Sequence, residues 1–265
     1  MSQRVKSADG TLIAYETRGS GPPVILVDGA LCYRGQGPSG PLADELASDF
    51  TVYTYDRRGR GESGDTPPYS VDREVEDVAA LVEEAGGSAY LYGISSGAVL
   101  ALDVAARVPG IRKLAVYEAP FIVDRTRTPL GSGYVRAIAG YLNAGNPSAA
   151  VRHFMKAVGV PAAATYLMAL MPAWRKMKAI APTLLYDAAV MGDTQDGNPL
   201  PIDRWAGAKM PVLVMAGGKS PEWMRNGQTA LVEVLPDAEH RILEGQTHLL
   251  KAEAVAPVLV DYFSD

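Results

Sequence analysis

The sequence predicts an α/β protein: a mostly parallel, doubly wound sheet with helices on both faces, carrying one long helical insertion. Three observations predict it. Short apolar runs alternate with helix-patterned stretches through residues 11–120, the rhythm of β–α units. That rhythm stops near residue 121 and resumes at 211, with a helix-rich, proline-punctuated stretch between. A G-x-S-x-G stretch stands where a predicted strand meets a predicted helix.

The elements follow in order. "TLIAYETRG" (11–19) alternates as a half-buried strand does, and "GSGPP" (19–23) is a turn. "VILVDG" (24–29) is a continuous apolar run, expected of a strand covered on both faces. "PLADELASDF" (41–50) reads as a helix and "TVYTYD" (51–56) as the next strand. In "VDREVEDVAALVEEAGG" (71–87), Val71, Val75, Val78, Leu81 and Val82 recur at helical spacing, and Gly86-Gly87 marks the stop. "AYLYG" (89–93) is a strand, 96–110 a helix stopped by Pro109 and Gly110, and "IRKLAVYEAP" (111–120) another strand. Residues 121–209 are largely helical, with Pro129, Pro147, Pro161, Pro172 and Pro182 as punctuation. Such a stretch is too long for an ordinary connection and is expected to serve as a lid. "PVLVMAG" (211–217), a helix at 222–235, "HRILEG" (240–245) and a C-terminal helix at 250–263 complete the pattern. Residues 1–120 and 210–265 are thus expected to form one core, with 121–209 a cap inserted into it, one domain overall.

Composition narrows the function classes. The chain has 265 residues, of which 48% are hydrophobic and 21% charged, enough for a sizeable core without staples. A net charge of −5 argues against a nucleic-acid or anionic-membrane surface, leaving a small molecule as the expected partner. A single cysteine, Cys32, excludes an intrachain disulfide and a cysteine zinc site. The first residues lack an apolar signal core, and no segment has the ~18 apolar residues that span a bilayer. A cytoplasmic protein is expected. The oligomeric state is open, a homo-oligomer included.

Gly93-Ile94-Ser95-Ser96-Gly97 places a serine on a tight strand-to-helix turn. Glycines two residues away on each side leave room for the strained turn, and the next helix aims its N–H groups at the site. Ser95 is the candidate nucleophile, and the Ser96 N–H a candidate oxyanion donor. With this turn the chain resembles the α/β-hydrolase superfamily. "GSGPPVILVDGA" is similar to that family's strand ending in an oxyanion-forming turn. "YDRRGRGESG" (55–64) is similar to its D-x-R-G-x-G-x-S loop, and "LEGQTHLL" (243–250) to the region bearing its catalytic histidine. The 55–64 stretch lacks the G-K-[ST] of a phosphate loop and reads as a structural turn whose charges tie loops together.

A serine hydroxyl needs a general base. His153 lies in the insertion, and His240 begins a strand far from the strand C-termini. His248 follows that strand in a loop, so position selects it, and the resemblance agrees. The resemblance also implies a second oxyanion donor after the strand at 24–28: Ala30, with Gly29 as the alternative. There this chain has Asp28, where the family often has histidine. A carboxylate beside an oxyanion hole opposes the charge that develops, so Asp28 either bonds loop backbone, the favoured reading, or bonds a substrate hydroxyl. Cys32 is placed near the pocket mouth, where burial as a small hydrophobe is the commoner fate.

The acid is displaced. The family's usual place follows the strand at 211–216, yet "AGGKSP" puts Ser220 there. Glu222 lies past Pro221 and is expected to open a helix. Glu118 stands at the C-terminal end of the preceding strand, in "VYEAP", where an unpaired buried acid is costly and therefore needs a role. The sequence here resembles zearalenone-lactonase-like α/β hydrolases, which carry the acid at this strand. The resemblance implies a Ser95–His248–Glu118 triad, with Asp124 and Glu222 as reserves. Asp28, Cys32, Ile94, Met155 and Trp174 are the candidate pocket residues. No metal-ligand set and no cofactor are expected. The expected chemistry is acyl transfer on an ester or lactone of a small, largely apolar substrate. A C–C bond hydrolase on the same residues is one alternative. A non-hydrolytic protein on this fold, such as a cofactor-free lyase, an isomerase or cyclase, or a ligand-binding protein, is another, kept open by Glu118 and Asp28.

Overall fold

Eight strands share one sheet in the computed structural model, which describes residues 2–265. They are β1 (Gln3–Lys6), β2 (Leu12–Arg18), β3 (Pro23–Val27), β4 (Thr51–Tyr55), β5 (Ala89–Ile94), β6 (Ile111–Tyr117), β7 (Val212–Gly217) and β8 (Ala238–Leu243). The order across the sheet is β1-β2-β4-β3-β5-β6-β7-β8. β2 pairs antiparallel with both β1 and β4, and the other five pairings are parallel. The C-terminal ends of β3, β5, β6 and β7 therefore share one edge, where ligand sites of parallel sheets form.

The strands' apolar runs serve two faces at once. Val24, Leu26, Tyr90, Tyr92, Ala115, Tyr117, Leu213 and Met215 pack on one side. That side is closed by α1 (Ser39–Leu46) and α10 (Ala252–Ser264). The residues between them, Ile25, Val27, Leu91, Leu114, Val116, Val212 and Val214, face the other side. There α2 (Val71–Glu84), α3 (Ser96–Ala105) and α9 (Glu222–Val234) cover them. The period of two along each strand, with both sets apolar, is what a doubly covered parallel sheet requires.

The insertion between β6 and β7 is helical: α4 (Gly131–Asn143), α5 (Pro147–Ala157), α6 (Ala162–Met168), α7 (Pro172–Ala179), a 3-10 turn (Ala181–Thr183) and α8 (Leu184–Met191). Its prolines work as starters. Pro147 and Pro172 open α5 and α7, and Pro161 caps α6, positions where a missing N–H costs nothing. The insertion has its own small core, including Ile138, Val151, Trp174, Met177 and Leu184, into which Leu31 reaches from the oxyanion loop. Behind it, the fully buried Trp205 bonds Asp103 of α3 (Nε1 to Oδ1, 2.9 Å) and packs on Phe121. No helix among the described residues is long and apolar enough to cross a membrane.

The structure differs from the sequence reading at several ends. β1 was not expected, because "QRVK" is polar and largely exposed at the sheet edge. The helix expected at 41–50 runs Ser39–Leu46, with Pro41 tolerated in its first turn. The helix expected to 110 ends at Ala105, and the strand expected at 240–245 lies two residues earlier. β6 stops at Tyr117 rather than 120, because Glu118 takes φ 47, a conformation no strand continues through.

Trp205 fixes the returning end of the insertion to the core, so Trp205→Ala is expected to cost about 3–5 kcal/mol in urea unfolding. A loss below about 1 kcal/mol would show that the anchor is elsewhere.

Candidate active site

Ser95 sits on the turn from β5 into α3 with φ 58 and ψ −131, a backbone geometry that an L-residue adopts only under constraint. The constraint is visible. A Cβ on Gly93 would meet Gly97 O at 2.6 Å, and one on Gly97 would meet Val27 O at 2.3 Å. Only glycine lets α3 approach the sheet this closely. The Ser95 N–H donates to Tyr117 O (3.0 Å), which ties the turn to β6. Ser96 opens α3, so its N–H has no partner within the helix.

Glu118 follows directly on β6. Its side chain is fully buried, yet both oxygens are engaged. Oε2 lies 2.9 Å from Nδ1 of His248, and Oε1 accepts from the Gly217 N–H at 2.8 Å. Gly217 is the last residue of β7, beside the place where Ser220 stands in lieu of an acid. The "AGGKSP" stretch therefore carries no carboxylate but binds one. It also secures the histidine loop: Gly218 N–H donates to Leu243 O (2.9 Å) and Lys219 N–H to Gln246 O (2.9 Å). From β6, Tyr117 Oη donates to Thr247 O (2.7 Å). The reserve acids are occupied elsewhere. Asp124 accepts from Thr126 and from Asn226, and Glu222 is an exposed first-turn residue of α9. His153 stacks on Tyr134 within the insertion, and His240 lies inside β8 opposite Val214.

The loop after β3 is held by arginines from the 55–64 stretch. Arg60 Nη1 donates to Gly29 O (2.7 Å), the carbonyl of the same peptide unit that carries the Ala30 N–H. Arg57 Nη1 reaches Asp28 O (3.3 Å). Both also meet Asp187 of α8, at 2.8 Å each, and Arg57 holds Glu74 through two bonds of 2.7 Å. Asp187 accepts a further bond from Ser96 Oγ (2.8 Å). Burial would raise the Asp187 carboxyl, but Arg60 and Arg57 outweigh it and hold it below its ordinary value. Asp187 escaped the sequence reading. The signal was there: it is the first acid after Asp124, set in the apolar "LLYDAAVM".

Two cavities meet at this point, and Ala30, Ser95, Phe154, Val158 and His248 line both. Gly29 lies against Ser95: a Cβ there would come 2.9 Å from Ser95 Cβ. Cys32 and Ile94 line the outer cavity. Burial pushes the Cys32 thiol up to about 12, so it stays protonated and acts as a small lining group. Three pocket expectations are corrected. Trp174 is buried in the insertion's own core, with Nε1 on Ser148 Oγ (3.0 Å), and Met155 packs on that same core; neither lines a cavity at Ser95. Phe154, Val158, Met191 and Trp223 take that place instead, because the helix faces that the sequence could not orient turn them inward. Asp28 also lines neither cavity. It is buried behind the loop, where Oδ1 accepts from Ser39 Oγ (2.7 Å), so it is structural.

With this geometry in view, the relatives fall into place. Residues 19–258 match the Alpha/beta hydrolase family, so the chain belongs to that family. It is similar to an alpha/beta hydrolase of Sphaerobacter thermophilus DSM 20745, with 48% identity over 98% of this chain and 100% of that one, at a TM-score of 0.90. It is 38% identical to an uncharacterized hydrolase of Bacillus subtilis (strain 168), over 43% of each protein. It is 36% identical to the pimeloyl-[acyl-carrier protein] methyl ester esterase of Stenotrophomonas maltophilia (strain R551-3), over 39% of this chain and 38% of that one. Less than half of either of these last two relatives is thus covered.

Asp28 gives a pH-dependent test. Burial pushes its carboxyl up to about 6, above the unfolded value of ~3.9. The native chain holds that proton between about pH 4 and 6, so the group's contribution to stability is full below that window and is lost as pH rises through it. Asp28→Asn keeps an acceptor for Ser39 and removes the titration. Relative to the parent, the variant should gain stability between pH 4.5 and 8, by about 3 kcal/mol at most, in urea unfolding. A pH-independent difference between the two proteins would refute the assignment.

Proposed function

We propose that this α/β hydrolase is a serine esterase acting on a carboxylic ester or lactone of a small substrate with a largely apolar body. The observation that carries the reading is the 2.9 Å contact of Glu118 with His248 Nδ1, beside a serine on a strained turn lining the same cavity. Bond class is supported by relatives named as methyl ester esterases. The apolar body is supported by the lining of Phe154, Val158, Leu184, Met191, Trp223 and Met224.

In this reading Glu118 accepts the Nδ1–H of His248, which fixes the tautomer with Nε2 free as the base. Nε2 takes the proton of Ser95 as Oγ attacks the carbonyl carbon. The N–H groups of Ser96 and Ala30 receive the oxyanion, and Arg60 keeps the Ala30 donor in place by holding Gly29 O. The imidazolium then protonates the leaving alkoxide. Water repeats the steps in reverse order of roles and frees the acid. The hydroxyl of Ser96 faces Asp187 rather than the substrate, so the side chain positions its own backbone donor.

Two measurements test this. A fluorophosphonate probe should label the parent and not Ser95→Ala, and 4-nitrophenyl ester turnover should fall by at least about 10³-fold in that variant. Glu118→Gln, which keeps an acceptor but no charge, should lose on the order of 10²–10⁴ in kcat, whereas Asp124→Ala and Glu222→Ala should stay within about threefold of the parent. Equal activity in Glu118→Gln and the parent would sink the assignment of the acid. Absence of both labelling and ester turnover in the parent would favour a non-hydrolytic protein on this fold.

A further inference from the structure

Among the described residues, the inner cavity is lined by one arginine that no carboxylate pairs. Arg127 lies on the segment entering the insertion and lines the cavity that Ser95, Ser96 and His248 line. Its carbon Cζ sits 4.0 Å over the Trp223 ring, which also lines the cavity. One Nη2–H donates to Ala157 O. That leaves most of its five donors uncommitted among the described residues.

The chain withholds any counter-ion. From Arg125 to Tyr186 the sequence contains no Asp or Glu, so no acid on α4 to α7 can pair with it. Asp124, three residues before it, gives its carboxylate to Thr126 and Asn226. Asp187 is the one acid lining the same cavity, and Arg57, Arg60 and Ser96 fill its lone pairs. Burial alone acts on Arg127, shifting it below its ordinary value with no charge to offset the cost. Elsewhere this protein pairs every strongly buried arginine: Arg57 with Glu74 and Asp187, Arg58 with Asp77 and Asp9, and Arg60 with Asp187. A half-buried arginine in a cavity wall, its guanidinium laid over an aromatic ring of the same wall, has the makings of a carboxylate receptor.

We propose that Arg127 binds a second carboxylate on the substrate, so that the preferred ester or lactone carries one terminal acid at the far side of an apolar body. This rests on the esterase reading and names the substrate class for that same site. The apolar lining takes the methylene chain, the Ser95 end takes the scissile carbonyl, and Arg127 with Trp223 takes the terminal carboxylate. A half-ester of a dicarboxylic acid meets all three.

The test compares matched substrates. Mono-4-nitrophenyl adipate is set against its methyl-capped diester for an acid on the acyl side. 3-Acetoxybenzoate is set against its methyl ester for an acid on the alcohol side. The parent should prefer the free acid in at least one pair by about tenfold or more in kcat/KM, mostly through KM. In Arg127→Gln that ratio should fall to within about twofold of one, and Arg127→Lys should fall between. The parent's own ratios are read first, so misfolding of a variant leaves the question decidable. Neutral esters turned over with no preference for the free acid in either pair would overturn this inference and leave the esterase reading standing. A preference that survives intact in a folded Arg127→Gln would also overturn it. No turnover of any of the four, with Ser95 unlabelled by fluorophosphonate, would overturn both.

Discussion

The carboxylate of Asp187 is the interaction on which the arrangement of the site depends. It stands on the last helix of the insertion and accepts from Arg57, Arg60 and Ser96. Those three partners come from the loop after β4 and from the nucleophile turn. Arg57 and Arg60 in turn hold the carbonyls of Asp28 and Gly29 in the oxyanion loop. One buried anion thus sets the relative position of the insertion, the Ser95 turn and the loop after β3. Removing one partner from such a buried set costs about 3–5 kcal/mol, because the remaining charges are left unpaired. A well-packed apolar contact matches the stability of such a set but does not fix directions. The proposed mechanism calls for two N–H groups aimed at one point, and hydrogen-bonded charges supply that orientation.

The buried carboxylate of Glu118 follows the same logic of backbone partners. A glutamate at the end of β6 must bend back toward the histidine loop, and φ 47 at Glu118 accomplishes the turn. The strain is of order 1–3 kcal/mol. It is offset by the Glu118 N–H on Met215 O, by the Gly217 N–H on Oε1, and by His248 on Oε2. β7, which lacks the acid, supplies the amide that receives it. The one-strand shift thus preserves the part that matters to the imidazole, a charged acceptor at Nδ1, while changing which strand end provides it.

Much of this was legible in the sequence because it depends on local rules. Alternating apolar runs and helix stops gave the sheet, and Gly93 and Gly97 around Ser95 gave the turn, since close packing admits nothing larger. Glu118 was legible because an acid at the end of an apolar strand has no cheap bland explanation. What failed was the direction in which helices of the insertion present their faces. Phe154 and Met155 are adjacent and both pack on the insertion's core, yet only the first lines the cavities. Short helices joined by prolines have crossing angles set by tertiary contact, which periodicity does not contain. Asp187 was missed for a related reason: its partners lie at Arg57, Arg60 and Ser96, far away in sequence. β1 was missed because an exposed polar edge strand carries almost no hydrophobic signal.

Among the described residues, three other than glycine adopt the left-handed region, Leu31, Ser95 and Glu118, and all three flank the site. Each is secured by a neighbour that has its own reason to be there. Leu31 buries its side chain in the insertion's core, Ser95 donates its N–H to Tyr117 O, and Glu118 donates its own to Met215 O. Sheet and insertion therefore share the strain. Were the insertion merely a removable cover, Leu31 would lose the burial that holds its turn, and the Gly29–Ala30 peptide would keep only the arginine contacts beneath it. The oxyanion loop is consequently part of the insertion's packing as much as of the sheet's. Cavity and donors are built by the same contacts, which makes substrate shape and catalytic geometry inseparable in this chain.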